Sequence, residues 1–159
     1  MHRYPNVGIV YTDVEFFGAA TGKFELPDYK FESMLMANCI VSIACFRKSD
    51  WKKTRGYSNK LVYGYEDFDF WLSIIELGRD VYKINETLVF YRQFDDAGQS
   101  RSGKRKKDHD KVNIVCVQAF QRHKKLYKKS TRAWEHFSNL EKRYPHTKHR
   151  IYRIKAFWK

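Results

Sequence analysis

Gly64-Tyr65-Glu66-Asp67-Phe68-Asp69-Phe70-Trp71-Leu72-Ser73-Ile74-Ile75-Glu76-Leu77-Gly78 crowds three acids into four positions and then runs mostly apolar until a glycine. That pattern predicts a helix from about Glu66 with a stop at Gly78, and it puts Glu66, Asp67 and Asp69 in the first turn, where the helix dipole favours anions. At roughly 100° per residue, Asp69, Ser73 and Glu76 share one polar stripe, which reads as the solvent face. Asp67 falls about 160° from Asp69, in line with Trp71 and Ile74. A carboxylate on the apolar side needs a reason, and two stay open. It caps the helix by accepting backbone N–H groups, or it stands at the rim of a cleft to take a proton from a bound hydroxyl. Glu66 lies on the flank between the two faces.

The 159 residues around this stretch are enough for one domain with a real core, or for a smaller domain plus a tail. Aromatic residues reach 17%, and such side chains fill cores but also line carbohydrate and nucleic-acid sites. Cys39, Cys45 and Cys116 are few, odd in number and not in a C-x-x-C pair. They imply a reducing compartment, with neither a structural zinc nor a disulfide framework. No apolar run is long enough to span a bilayer, and Met1 to Pro5 leads straight into a strand-like segment without a signal peptide. The expected location is the cytoplasm. The net charge of +13 is uneven: residues 1–100 carry 12 Lys/Arg against 14 Asp/Glu, and residues 101–159 carry 19 against 4. The two parts therefore read as different objects.

Working outward, Val7 to Phe17 is β-rich and stops at Gly18, Thr21-Gly22-Lys23 reads as a turn, and Phe31 to Ala37 as a short helix. Cys39 to Phe46, continuously apolar and β-branched, reads as a buried strand. Lys48 to Lys53 predicts a short helix, and Arg55 to Asn59 a loop. After Gly78, Val81–Ile84 and Thr87–Tyr91 read as two strands around an Asn85-Glu86 turn, and Asp95 to Gly103 as loop. Beyond Lys104 the period turns helical, with one stripe through Val112, Val115, Ala119 and Phe120 and another through Trp134, Phe137, Leu140 and Tyr144. The last stretch, Lys148 to Lys159, mixes aromatics with five Lys/Arg. It reads either as a solvated helical tail or as a segment that lies on an anionic membrane surface.

Several motifs fail on inspection. Asp67 and Asp69 spell D-x-D, but side chains at i and i+2 of a helix diverge and do not chelate one ion. Asp95-Asp96 and Asp108-His109-Asp110 lack a partner ligand, and His146-x-x-His149 lacks the glutamate of a zinc protease. No glycine loop cradles a phosphate. Adjacent Glu66 and Asp67 do not flank one glycosidic bond from opposite sides, and Asn85-Glu86-Thr87 is a glycosylation acceptor in form only.

Taken in order, VGIVYTDVEFFG, then FRKSDWKKTRGYSNKLVYGYEDFDFWLSIIELG, then VYKINETLVFYR resemble the second half of family 2 glycosyltransferases of the GT-A type, over about residues 5–103. The most specific part is Gly-Tyr-Glu-Asp-Phe-Asp-Phe-Trp, preceded by Arg47-Lys48 and Trp51 and followed by Tyr91-Arg92. The resemblance implies an inverting transfer from a nucleotide-sugar with Asp67 as general base. It implies Glu66 holding the acceptor, Trp71 in the acceptor platform, and Arg92, Ser100 and Arg101 near the departing diphosphate. It also implies Mg²⁺ or Mn²⁺, held in the family by an Asp-x-Asp in the first half. Here the sequence starts at about the segment that follows that motif, and no acid occurs from Met1 to Asn6. The expectation is a truncated or split enzyme, inactive alone as a transferase because the electrostatic help of the metal is missing.

The fold expected is therefore α/β: a partial GT-A mixed sheet in residues 1–103, followed by a basic helical extension in residues 104–159. The sheet should have an exposed edge, which a second copy or a partner chain covers. The acceptor would be a glycan or a lipid-linked sugar in surface polysaccharide or lipooligosaccharide synthesis, at the inner face of the membrane. The competing reading is a non-catalytic module that binds carbohydrate, or nucleic acid through the basic tail. The ordered motif set outweighs the charge of the tail, which is a common feature.

Overall fold

The long β-branched run after Asn6 forms a single strand, β1 (Val7–Gly18), which turns back at once into β2 (Gly22–Phe24). In this computed structural model, residues 1, 3–61, 63–95 and 109–145 are described. There follow α1 (Phe31–Met36), β3 (Cys45–Phe46), α2 (Lys48–Trp51), α3 (Glu66–Glu76) and β4 (Asp80–Gln93). The last elements among the described residues are α4 (His109–Arg122), α5 (Lys124–Tyr127) and α6 (Thr131–Arg143). The architecture is mixed α/β with an open sheet. β4 runs parallel to β1 from Val7 to Gly18, so the antiparallel β2 and β3 share the other edge of β1.

Two strand expectations need correcting. Only Cys45 and Phe46 of the Cys39–Phe46 run join the sheet; Ser42 and Ile43 make a turn, and Ile43 is exposed. An unbroken apolar run carries no period, so it cannot distinguish a strand from a loop that buries alternate pieces. Asn85-Glu86 is not a turn between two strands. Ile84 pairs with Thr12 and Thr87 with the next residue, Asp13, so Asn85 and Glu86 bulge out of one continuous β4. The turn after β1 also sits slightly earlier than Thr21-Gly22-Lys23, because Gly22 and Lys23 already belong to β2.

α3 lies against β1, and the approach is close. A Cβ on Gly8 would stand 2.5 Å from the Arg79 Cβ and 3.0 Å from the Ile74 Cγ2, so only glycine lets the helix settle there. The helix ends as expected at Gly78, whose φ of 77 is left-handed and whose N–H caps the Ile75 carbonyl at 2.9 Å. Behind it, Arg79 donates to the fully buried Asp50 at 2.7 Å.

The basic extension is not a separate object. Ala119, Phe120, Leu126, Tyr127, Ala133 and Phe137 belong to the same core cluster as Ile9, Tyr11, Phe70 and Trp71. The expected division at residue 103/104 therefore does not separate two cores. Phe120, Tyr127 and Phe137 form a ring cluster with centroids 5.1 to 5.9 Å apart. Aromatics at these spacings bury large areas, which explains how a strongly charged segment still folds down. Ser130 starts α6 by accepting the Ala133 N–H at 3.3 Å. Lys124 and Gln121 both bond Glu141, at 2.9 Å each, and fasten the three helices together. Among the described residues no helix is long and apolar enough to cross a membrane.

Candidate functional site

The chain enters α3 through an unusual corner. Gly64 has φ 102 and Tyr65, the residue before the first helical one, has φ 66. A non-glycine side chain in that region costs about 1–2 kcal/mol. The core holds the corner in place, for Tyr65 packs against it and meets Phe68 edge-on at 6.0 Å. The effect is to set the first turn of α3 at the mouth of an open cavity of about 510 Å³.

Three parts of the chain wall this cavity: the end of α1 with Met36 and Asn38, the start of α3 with Asp67 and Phe68, and the C-terminal helices with His109, Cys116 and Phe137. Asp67 accepts the Phe68 N–H at 2.7 Å and also lines the concavity. Glu66 is half-buried beside it. The Tyr57 hydroxyl is held in its neutral form to higher pH, first by burial and then by the charges of Asp67 and Glu66. That makes Tyr57 an electrostatic neighbour of both carboxylates, and its ring packs on Phe70 at 4.8 Å. Burial pushes the Cys116 thiol up to about 11, so this cysteine is a neutral wall and not a nucleophile.

Trp71 does not form part of an acceptor platform. It is fully buried between the rings of Phe46 and Phe70, at 5.9 and 5.2 Å. It shares the azimuth of Asp67 but lies one turn further along the helix, where β3 has closed over that face. Arg92 projects from the last part of β4, is exposed, and lies over the Phe94 ring at 5.3 Å; it does not line the cavity. Ser100 and Arg101 lie outside the described residues, as do His146, His149 and the basic end from Lys148.

The largest departure concerns Asp69. The stripe Asp69–Ser73–Glu76 is the solvent face only at its far end, where Glu76 is exposed; at its start the C-terminal helices cover Asp69. Asp69 has no exposed surface; its Oδ1 accepts the Arg122 Nε–H at 2.7 Å and stands 3.1 Å from His123 Nε2. The other ring nitrogen of His123 lies 3.1 Å from a Glu76 oxygen, close enough to attract but poorly aligned as a hydrogen bond. Burial by itself would raise the Asp69 carboxyl, but hydrogen bonds from His123 and Arg122 outweigh it and hold the group below the ordinary range. His123 mirrors this: burial disfavours its charge, and its two acidic neighbours more than restore it, so its pKa is raised. Two aspartates a single residue apart thus have unrelated surroundings. Among the described residues no group of three or more His, Cys, Asp or Glu side chains could hold a metal, so the Mg²⁺ or Mn²⁺ implied by the resemblance finds no ligand set there.

Sequence reasoning missed Tyr57, Asn38, His109 and Cys116. Tyr57 had one signal, an aromatic in a loop just ahead of the acidic turn; the others are brought in by tertiary packing. Compared with models of known protein families and with curated proteins, the chain matches none.

Proposed function

We propose that this chain is the acceptor-side part of an inverting, nucleotide-sugar-dependent glycosyltransferase with a GT-A-like fold. The observation that carries the reading is the position of Asp67, in the first turn of α3 behind a left-handed corner and on the wall of a cavity of about 510 Å³. The order of the motifs around it supports the same reading. In the reaction, the acceptor hydroxyl sits against Asp67. The carboxylate takes its proton as the oxygen attacks the anomeric carbon, and the sugar–phosphate bond breaks on the opposite side, releasing the nucleoside diphosphate. A positioned base of this kind contributes about 10²–10⁴-fold. Glu66 hydrogen-bonds a neighbouring acceptor hydroxyl, while the half-buried Met36 offers apolar surface to a sugar face.

The acceptor is proposed to be a glycan or lipid-linked sugar of surface polysaccharide or lipooligosaccharide synthesis. The outer edge of β4, bonded to no other strand among the described residues and carrying exposed Leu88 and Phe90, is where a second copy or partner chain would pair. A clean monomer by light scattering at high concentration would count against that pairing.

Binding to an acceptor-glycan array tests the central reading. A defined glycan class should bind, and Glu66→Gln and Asn38→Ala should weaken that binding. Asp67→Asn should abolish transfer once donor and partner are supplied. Salt-dependent nucleic-acid binding that ignores Asp67→Asn, with no glycan bound, would establish the competing binding-module reading instead.

A further inference from the structure

Two stretches far apart in the sequence meet at the C-terminal end of α3. Lys53, Thr54 and Arg55, from the loop after α2, line a depression of about 260 Å³ together with Ser73 and Leu77 of α3 and Arg122 of α4. Adjoining it, and sharing Glu76 and Arg122, is a second depression lined by Lys124, Lys125 and Lys129. Two of these cations are already answered, Arg122 by Asp69 at 2.7 Å and Lys124 by Glu141 at 2.9 Å. The acid they share, Glu76, faces His123. Lys53, Arg55, Lys125 and Lys129 have no ion-pair partner among the described residues. The face therefore carries a surplus of positive charge that nothing in the fold uses.

We propose that this face docks the protein on an anionic lipid bilayer. Clustered Lys and Arg near an anionic leaflet gain attraction that falls off within a Debye length. The apolar part of an interfacial contact is present too: Leu77, which lines the first depression, is 38% exposed in the midst of the cations. An exposed leucine set among basic side chains suits the headgroup boundary. Nucleic acid fits less well, because no Phe, Tyr or Trp lines either depression and successive bases would have nothing to stack on. The surface is distinct from the basic end beyond Lys148, and it does not depend on the sugar-transfer reading.

The test is co-sedimentation of the full chain with phosphatidylcholine vesicles and with phosphatidylcholine–phosphatidylglycerol vesicles, at low and high salt. Binding should need the anionic lipid, weaken with salt, and fall about five-fold for each neutralised residue in K53Q, R55Q, K125Q and K129Q. Circular dichroism should show all four variants folded, since these side chains make no internal ion pair. A second variant neutralising Lys148, Arg150, Arg153 and Lys155 should keep most of the binding. Binding lost only in that second variant, binding indifferent to lipid charge, or binding to a single-stranded oligonucleotide with none to vesicles would each overturn the proposal.

Discussion

Asp67 and Asp69 stand in the same helical turn, yet one lines an open cavity and the other is sealed inside an ion cluster. The contrast teaches that the side of a helix a carboxylate occupies says little until the covering element is known. On the Asp67 side, α1 and α4 stand back and leave room for a ligand. On the Asp69 side, α4 arrives with Arg122 and His123, and the charge becomes part of the fold. Breaking the second aspartate should harm stability most; breaking the first should harm chiefly what the protein binds.

The largest effect is expected from Asp69→Ala. It strands Arg122 and the buried His123 without their shared partner, and removing one member of a buried ion pair costs about 3–5 kcal/mol. Urea unfolding measures this directly, and a loss below about 1 kcal/mol would mean that the cluster is not the fastening it looks like. Next comes Gly8→Ala, which pushes a methyl into Arg79 and Ile74 where β1 and α3 touch. Overpacking of this kind costs about 1–3 kcal/mol. It should lower the unfolding midpoint without changing the urea dependence, because the same surface is exposed on unfolding.

How much of this contrast the sequence carried can be argued residue by residue. The helix from Glu66 and its stop at Gly78 were legible because both rest on local rules, period and glycine. The same wheel set Asp67 on the apolar side and Asp69 toward solvent, whereas Asp69 is the buried one and Asp67 stays half-buried on the cavity wall. The fate of Asp69 was not legible, since the groups that bury it come 53 and 54 residues later and leave no local trace. Trp71 was misplaced for another reason: its platform role came from the resemblance, whereas the wheel already set it on the apolar side, where it is buried. The basic segment looked like a tail because charge dominates its composition, whereas three rings, Phe120, Tyr127 and Phe137, decide where it goes. Asn85-Glu86 has the composition of a turn, but β1 is long enough to keep pairing on both sides of the bulge.

The cluster should also shape the pH dependence of stability. His123 has a raised folded pKa, so its contribution is fully present below its unfolded value of about 6.5 and is lost as pH rises through the folded value. Asp69 has a lowered folded pKa, so its contribution is present above its unfolded value of about 3.8 and is lost as pH falls through the folded value. The charges that bear on this histidine are Asp69 and Glu76 from α3 and Arg122 beside it on α4. Between those limits the fastening is complete; above them stability should decline. In His123→Gln, which cannot titrate, the alkaline decline in unfolding free energy should flatten. An unchanged slope would move its origin elsewhere.

The smallest change in stability is expected from Asp67→Ala, and that smallness is the sharpest form of the contrast. The substitution removes one acceptor for the Phe68 N–H and one negative charge from the first turn of α3. A charge at that place is worth about 0.3–1 kcal/mol, and the freed N–H lies beside an open cavity where water can take it. The same replacement two residues on removes the counter-charge of a group with no access to water. If calorimetry found the two alanine variants equally damaged, Asp67 would be a fold residue like its neighbour, and the case for a base at the cavity wall would fail with it. If Asp67→Ala melts within a few degrees of the parent while glycan binding or transfer is lost, the two aspartates have separate trades: one holds the helices together, the other faces the substrate.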